Sequence, residues 1–249
     1  MCLIVVGWHV HPDYPLVVAA NRDEFHARPT AAAARWADAP QVGAGRDLEA
    51  GGTWLGIATG GRFAAVTNVR EPGQPPGQYS RGALTADFLR STVRAADYAA
   101  GIDGQAYAGF NLLLGDGQAL WYLSNRDGPP RALPPGIYGL SNRSLDTPWP
   151  KLVQARTAFA EALRSLPDEA ACFALLADRS TVDDADLPST GVPLAWERLL
   201  SAIFVCSERY GTRASTLVLQ ETTGHSTLIE RSFDASGKET QSSRISTGV

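Results

Sequence analysis

The sequence predicts a layered α+β architecture in a single unit covering residues 1–249, and three features of the pattern carry that reading. Short apolar runs separated by turn residues dominate the N-terminal half, as antiparallel strands do. Strand pairs of the same kind recur near the C-terminus, so the sheets draw on both ends of the chain. Between these blocks lie a few amphipathic stretches with helical spacing, which must cover the sheets. Two sheets between helices and one sheet with helices on one face both satisfy this pattern.

The clearest strands read CLIVVGW, PLVVAAN, WLGIAT and RFAAVTN. Gly60-Gly61 separates the last two, and glycine's access to positive φ suits a two-residue hairpin there. Asp116-Gly117 plays the same part between GFNLLLG and QALWYLS, and Thr223-Gly224 between STLVLQE and STLIERSF. The best helix is PWPKLVQARTAFAEALRSL, with Leu152, Arg156, Phe159, Leu163 and Leu166 at three- and four-residue intervals. Asp146 or Thr147 is its expected cap, and Pro148 fits its first turn. Pro167 stops it, and Asp168 starts a second apolar helix. A third helix is expected over ALTADFLRSTVRAADYAA. The Pro-rich segments 71–78 and 128–136 read as loops rather than domain linkers, because hairpins continue on both sides of each.

Composition excludes several function classes. The 22 basic and 26 acidic side chains leave a net charge of -4, with no chain-wide field to attract nucleic acid. The apolar N-terminus lacks the basic start and small-residue cleavage site of a secretory signal and is interrupted by His9, His11, Pro12 and Asp13. No run approaches the ~20 apolar residues of a membrane span. The expected location is therefore the cytoplasm. Three cysteines, Cys2, Cys172 and Cys206, form no CxxC pair, so neither a disulfide framework nor a zinc site follows. Cys172 and Cys206 adjoin apolar runs, where free cysteine acts as a small buried hydrophobe. His9 and His11 are too few for a metal site and read as solvated loop.

Cys2 is the most informative residue. Methionine aminopeptidases remove Met1 only when the second side chain is small, and removal would leave a cysteine with a free α-amine. A thiol of pKa about 8.5 can then pass its proton to its own amine, of about 7.7–8.0, near neutral pH. Taken alone, Cys2 also fits the start of a buried strand. The segment AANRDE adds to the picture, because an apolar strand there gives way abruptly to Asn21, Arg22, Asp23 and Glu24. If the first two strands form a hairpin, the end of the second returns to the start of the first and Asp23 faces Cys2. A carboxylate there could hold the α-amine, and a nearby arginine would favour thiolate.

The chain resembles the NRDE proteins, also called transport and Golgi organisation 2 homologues. The likeness is carried in order by MCL, NRDE (21–24), GGTWLG (51–56), TNVR (67–70), SRG (80–82), GFNLL (109–113), GLSN (139–142), WPK (149–151) and YGTRAST (210–216). It spans nearly the whole chain. It implies the four-layered αββα fold of N-terminal-nucleophile (Ntn) hydrolases, closest to the penicillin V acylase and bile salt hydrolase group. On that likeness Cys2 falls on the nucleophile and Asp23 on the aspartate of the second-strand motif. Asn68 matches the oxyanion-hole asparagine, Asn142 the second active-site asparagine and Arg213 the arginine near the end of the catalytic set. Asn21, Arg22 and Trp54 are the expected substrate-side residues. One departure is that Ala20 precedes Asn21 while Arg22 follows it, and strand alternation then turns Arg22 away from the site.

The residues therefore point to a hydrolase for a non-peptide carbon–nitrogen bond in a small-molecule amide, needing no organic cofactor or metal. The alternative on the same scaffold is a carrier of a hydrophobic ligand. Haem is the candidate ligand suggested for relatives, with a cysteine thiolate as axial ligand. A trafficking role without catalysis belongs with it. Oligomeric state has no signature in the sequence.

Overall fold

A computed structural model describes residues 2–248, so the expected removal of Met1 concerns a residue outside them. The chain opens with strands β1 (Cys2–Trp8), β2 (Leu16–Phe25), β3 (Thr30–Trp36), β4 (Ala39–Asp47), β5 (Leu55–Ala58) and β6 (Arg62–Asn68). Helices α1 (Arg81–Arg90) and α2 (Ala95–Ala100) follow, then β7 (Phe110–Asp116), β8 (Leu120–Ser124), β9 (Arg131–Ala132) and β10 (Gly136–Leu140). The remainder is α3 (Pro150–Ala162), α4 (Ala170–Leu176), α5 (Leu194–Leu200), β11 (Tyr210–Gln220), β12 (Ser226–Phe233) and β13 (Glu239–Thr247).

The strands form a six-stranded sheet in the order β10-β1-β2-β11-β12-β13 and a seven-stranded sheet running consecutively from β3 to β9. All named ladders are antiparallel. Strand alternation decides the layering. In β1, Ile4, Val6 and Trp8 enter the core between the sheets, while Leu3 and Val5 pack outward against Leu152 and Phe159 of α3 and Cys172 of α4. The second sheet covers its outer face with Leu84, Phe88 and Leu89 of α1 and Ala95 and Ala99 of α2. The result is four layers, helix–sheet–sheet–helix. Because the central strands are buried on both faces, they read as continuous apolar runs.

The three expected hairpins are present, and Gly60 and Gly61 carry φ of 73° and 67°, the left-handed values that a tight reversal demands. Boundaries differ in four places. The NRDE tetrad lies inside β2 rather than beyond its end, because β11 continues to pair with it as far as Tyr210↔Phe25. The long helix starts at Pro150 with Trp149 as its N-cap residue and no side-chain cap, so neither Asp146 nor Thr147 caps it; Asp146 instead bonds the Gly139 N–H at 2.7 Å. The third expected helix is two, broken between Arg90 and Ala95, where Arg62 collects the Phe88 and Val93 carbonyls. The 128–136 loop carries the short strand β9. Cys172 is buried as expected, but Cys206 is exposed, because its segment leaves the core just after Val205.

One buried carboxyl group links the sheets. Glu230 of β12 accepts from the Ala33 N–H of β3 at 2.7 Å, where β3 slips register. Burial raises its pKa to about 7. The folded chain therefore keeps this proton up to about pH 7, whereas the unfolded chain releases it near the ordinary 4.5. Its contribution is complete below the unfolded value and is lost as pH climbs through the folded one, at a cost of up to ~3 kcal/mol. Urea titrations across this range should show stability falling with pH, and Glu230→Gln should flatten that slope.

Candidate active site

The β1–β2 register brings the start of the chain beside the NRDE tetrad. Cys2 pairs with Arg22 and not, as expected, with Asp23, because the connection over residues 9–15, closed by the His9 N–H on the Pro15 carbonyl, leaves Trp8 opposite Leu16. Directly opposed residues share a face, so Cys2 and Arg22 both turn toward the space between the sheets. Arg22 is 5% exposed and lines the cleft above Cys2, contrary to the expectation that it points away. It stacks over Trp54, 4.6 Å from the ring centre, and lies 3.9 Å from both Glu24 and Asp47. Asp23 and Asn21 take the opposite face. Asp23 still reaches Cys2, through its backbone N–H.

The cleft has a volume of about 350 Å³. Its floor is Cys2 with Val66, Thr67 and Asn68 from the end of β6; its walls include Arg22, Trp54, Arg28 and the start of α1 at Arg81. Two glycines from separate motifs set the last wall. A Cβ on Gly52 would stand 2.4 Å from the Gly82 carbonyl carbon, so only glycine lets α1 dock against the β4–β5 turn. There the Thr53 N–H donates to the Gly82 carbonyl at 3.2 Å.

Asn68 and Asn142 work as a pair. Asn142 is fully buried and donates from Nδ2 to the Asn68 carbonyl at 3.0 Å and to Asn68 Oδ1 at 2.9 Å. A backbone carbonyl only accepts, which fixes the orientation of the Asn142 amide and therefore that of Asn68. Asn68 Nδ2 is thereby turned to the other side, where among the described residues it makes a long, 3.4 Å hydrogen bond to the Val69 carbonyl. Asn142, the expected second active-site asparagine, has thus spent its donors on Asn68 and holds that side chain in place. Beside it, the Ser141 hydroxyl donates to the Cys2 carbonyl at 3.0 Å, and Thr67 Oγ1 donates to the Ser141 carbonyl.

Burial dominates the electrostatics. It raises the Cys2 thiol, with the Asp23 charge adding to the effect and Arg22 and the Asp23 N–H opposing it. It also raises Asp23, against Lys151, Arg22 and a 2.7 Å bond from Thr212 Oγ1. Lys151, at the first turn of α3, is pushed down to about 8 by burial while Asp23 pulls it up. Its ammonium donates to the Leu200 carbonyl at 2.8 Å.

Two expected residues lie elsewhere. Asn21 is no substrate contact: its Nδ2 donates to the Leu176 and Ile203 carbonyls at 2.8 and 2.9 Å, and its Oδ1 accepts from Ser215 at 2.6 Å. It ties β2 to the end of α4 and to the segment after α5. Arg213 occupies the register shift of β11 and donates to the carbonyls of Phe25, His26 and Arg28, closing the β2–β3 turn outside the Cys2 cleft. Sequence reasoning missed Lys151, Arg81 and Ser141. Lys151 and Arg81 stood in the WPK and SRG segments, but a helix-start cation normally reads as solvated. Among the described residues, no cluster of three or more His, Cys, Asp or Glu side chains could hold a metal ion, and no helix is long and apolar enough to cross a membrane.

A four-layered sandwich with a cysteine at the head of its first central strand and a cleft above it defines an Ntn-hydrolase-like fold. Solved structures agree: the N-acylethanolamine-hydrolyzing acid amidase ortholog of Caenorhabditis elegans superposes with a TM-score of 0.54 at 13% identity, covering 88% of this chain and 92% of that one. The C2A mutant of the conjugated bile acid hydrolase from Clostridium perfringens gives 0.56 at 6% identity, covering 98% and 92%. Within that fold, the chain belongs to the Transport and Golgi organisation 2 family, whose profile matches residues 1–235. The Bos taurus Transport and Golgi organization protein 2 homolog is 39% identical over 94% of this chain and 93% of its own, and the Homo sapiens protein is 37% identical over the same shares. A Drosophila melanogaster relative, Transport and Golgi organization protein 2, is 40% identical over 36% of this chain and 35% of its own.

The glycine contact can be tested directly. Gly52→Ala should push α1 off the β4–β5 turn and destabilise the fold by about 1–3 kcal/mol. Gly51→Ala is the comparison, since a Cβ there meets nothing within 4 Å; any cost then comes from its φ of 77° alone. Denaturant midpoints of the two variants separate crowding from backbone strain.

Proposed function

We propose that the chain is a cysteine Ntn hydrolase that cleaves a non-peptide carbon–nitrogen bond after Met1 is removed. The observation supporting this reading is the half-buried Cys2 thiol on the floor of the same cleft as an Asn68 amide whose N–H edge Asn142 turns outward. The two groups supply a nucleophile and a donor for a developing oxyanion.

The chemistry follows from the charges. Burial holds Cys2 as a thiol, so attack requires a proton acceptor. The α-amine exposed by loss of Met1 is of the right strength and belongs to the same residue. The thiol proton moves to this amine as sulfur attacks the amide carbonyl. Asn68 Nδ2 donates to the oxygen as it gains charge, and the amine returns its proton to the departing nitrogen. Water then cleaves the thioester with the same proton transfers in reverse order. Asp23, partly answered by Lys151 on its far side, is placed to hold the ammonium. No metal or organic cofactor enters these steps.

Intact mass of protein from its native host tests the first requirement cleanly, because Met1 is the only methionine of the chain. A mass lacking one methionine, together with turnover of amides that Cys2→Ala abolishes, is the expected outcome. Retained Met1 with no turnover sinks the mechanism; stoichiometric haem absorption that is lost in Cys2→Ala would then favour ligand carriage. For a substrate that is turned over, Asn68→Ala should lower kcat by roughly 10²–10³-fold with little change in KM. Asn142→Ala should lower kcat less, since Asn68 loses its orientation but keeps its donor.

A further inference from the structure

Arg81 brings a positive charge to the Cys2 cleft. It opens α1 on the wall of the Cys2 cleft, and its Nη1 donates to the Gly109 carbonyl at 3.1 Å. Among the described residues it makes no ion pair. The other two cleft arginines are answered by carboxylates. Arg28 lies 2.7 Å from Asp47 and 3.1 Å from Glu49, and Arg22 sits between Glu24 and Asp47. Arg81 also stands where folding does not favour it. A cation in the first turn of a helix opposes the helix dipole, at a cost of about 0.3–1 kcal/mol, and this first turn has no acidic residue to offset it. Desolvation weakens its charged form further, while Cys2 and Glu24 act on it favourably, so it lies within electrostatic reach of the nucleophile.

A guanidinium stays charged in any protein environment and has five N–H donors in a planar fork. One known bond, to Gly109, leaves most of that fork to the cleft. The fork matches a carboxylate in bidentate geometry, and the cleft excludes part of the water that would compete with it. We propose that Arg81 is the specificity-determining residue of the cleft and that it binds a carboxylate carried by the ligand. On the hydrolase reading above, on which this step rests, that ligand is an amide bearing a free carboxylate.

The cysteine itself reports on this site without any need for turnover. Iodoacetate carries a carboxylate and iodoacetamide does not, yet both transfer a carbon to the thiolate with loss of iodide. Alkylation rates at Cys2 and at exposed Cys206 can be followed in one sample by peptide mass mapping, with buried Cys172 silent. The iodoacetate-to-iodoacetamide rate ratio at Cys2 should exceed that at Cys206 by roughly tenfold, the effect of one charge-assisted contact. Arg81→Gln should bring the two ratios together, and Arg81→Lys should keep part of the preference, which guards against a folding defect. Equal ratios in the unaltered protein, or a ratio that Arg81→Gln leaves unchanged, overturn the proposal.

Hydrolysis of an N-acyl amino acid and of its methyl ester then separates the two readings. Arg81→Gln should raise KM for the acid and not for the ester. If neither compound is turned over but the alkylation preference persists, the carboxylate site stands and the hydrolase reading falls.

Discussion

The cleft depends first on the β1–β2 ladder. Hydrogen bonding between two central strands fixes Cys2 opposite Arg22, and the alternation of side chains then assigns every neighbour to a face. A slip of one residue would carry Cys2 to the helix side and Leu3 into the space between the sheets. That slip is opposed along the whole of β1, because Ile4, Val6 and Trp8 would leave the inter-sheet core together. The position of one sulfur atom is thus held by apolar burial several residues away. The second pairing of β2, to β11, completes the arrangement by supplying Thr212 to Asp23 and Ser215 to Asn21.

Near Cys2 the core changes character. The inter-sheet space is apolar through most of its extent, yet at this end it contains Thr67, Asn111, Ser141 and Asn142, all buried. Each of them is bonded to another: Asn111 Nδ2 to Thr67 Oγ1 and to the Arg143 carbonyl, Thr67 to Ser141, and Ser141 to the Cys2 carbonyl. A buried polar group without a partner costs about 1–3 kcal/mol, so such a cluster is stable only when complete. Completeness also fixes position. The chain of bonds runs from β1 through the segment after β10 to the end of β6, tying the Cys2 backbone in one sheet to the residue beside Asn68 in the other.

Much of this was legible in the sequence. Strand-type runs bounded by Gly-Gly and Asp-Gly located the hairpins, and Cys2, Asp23, Trp54 and Asn68 of the resembling motifs line one cleft, together with the Arg22 that strand alternation was expected to turn away. What escaped is tertiary in origin. Strand β3 is mostly Ala and only partly buried, and β4 mixes Ala and Gly with Gln, Arg and Asp, so both lack the run of large apolar residues that marks a buried strand. The capped helix start failed because Asp146 had a better partner in the Gly139 N–H across a turn. Asn21 and Arg213 are polar residues near the site in sequence, but their partners are backbone carbonyls of distant loops, which no local pattern announces. Lys151 was hidden for the opposite reason, since a lysine at a helix start ordinarily faces water.

The buried charges around Cys2 bear on the protonation of its thiol. Desolvation pushes Cys2 and Asp23 up and Lys151 down, so each group is drawn toward its neutral form. Lys151 and Asp23 offset this for each other through the floor of the sheet, from the face away from the cleft. The cleft face holds Arg22, whose charge favours the thiolate but is shared with Glu24 and Asp47. A thiolate generated alone beside Asp23 would add a second negative charge to a desolvated site. On the mechanism proposed above, transfer of the thiol proton to an adjacent amine avoids that cost, because the site then gains an ammonium together with the thiolate. On that mechanism, a base provided by the same residue suits this environment better than a distant one, and the ammonium joins Thr212, Lys151 and Arg22 among the groups that answer Asp23.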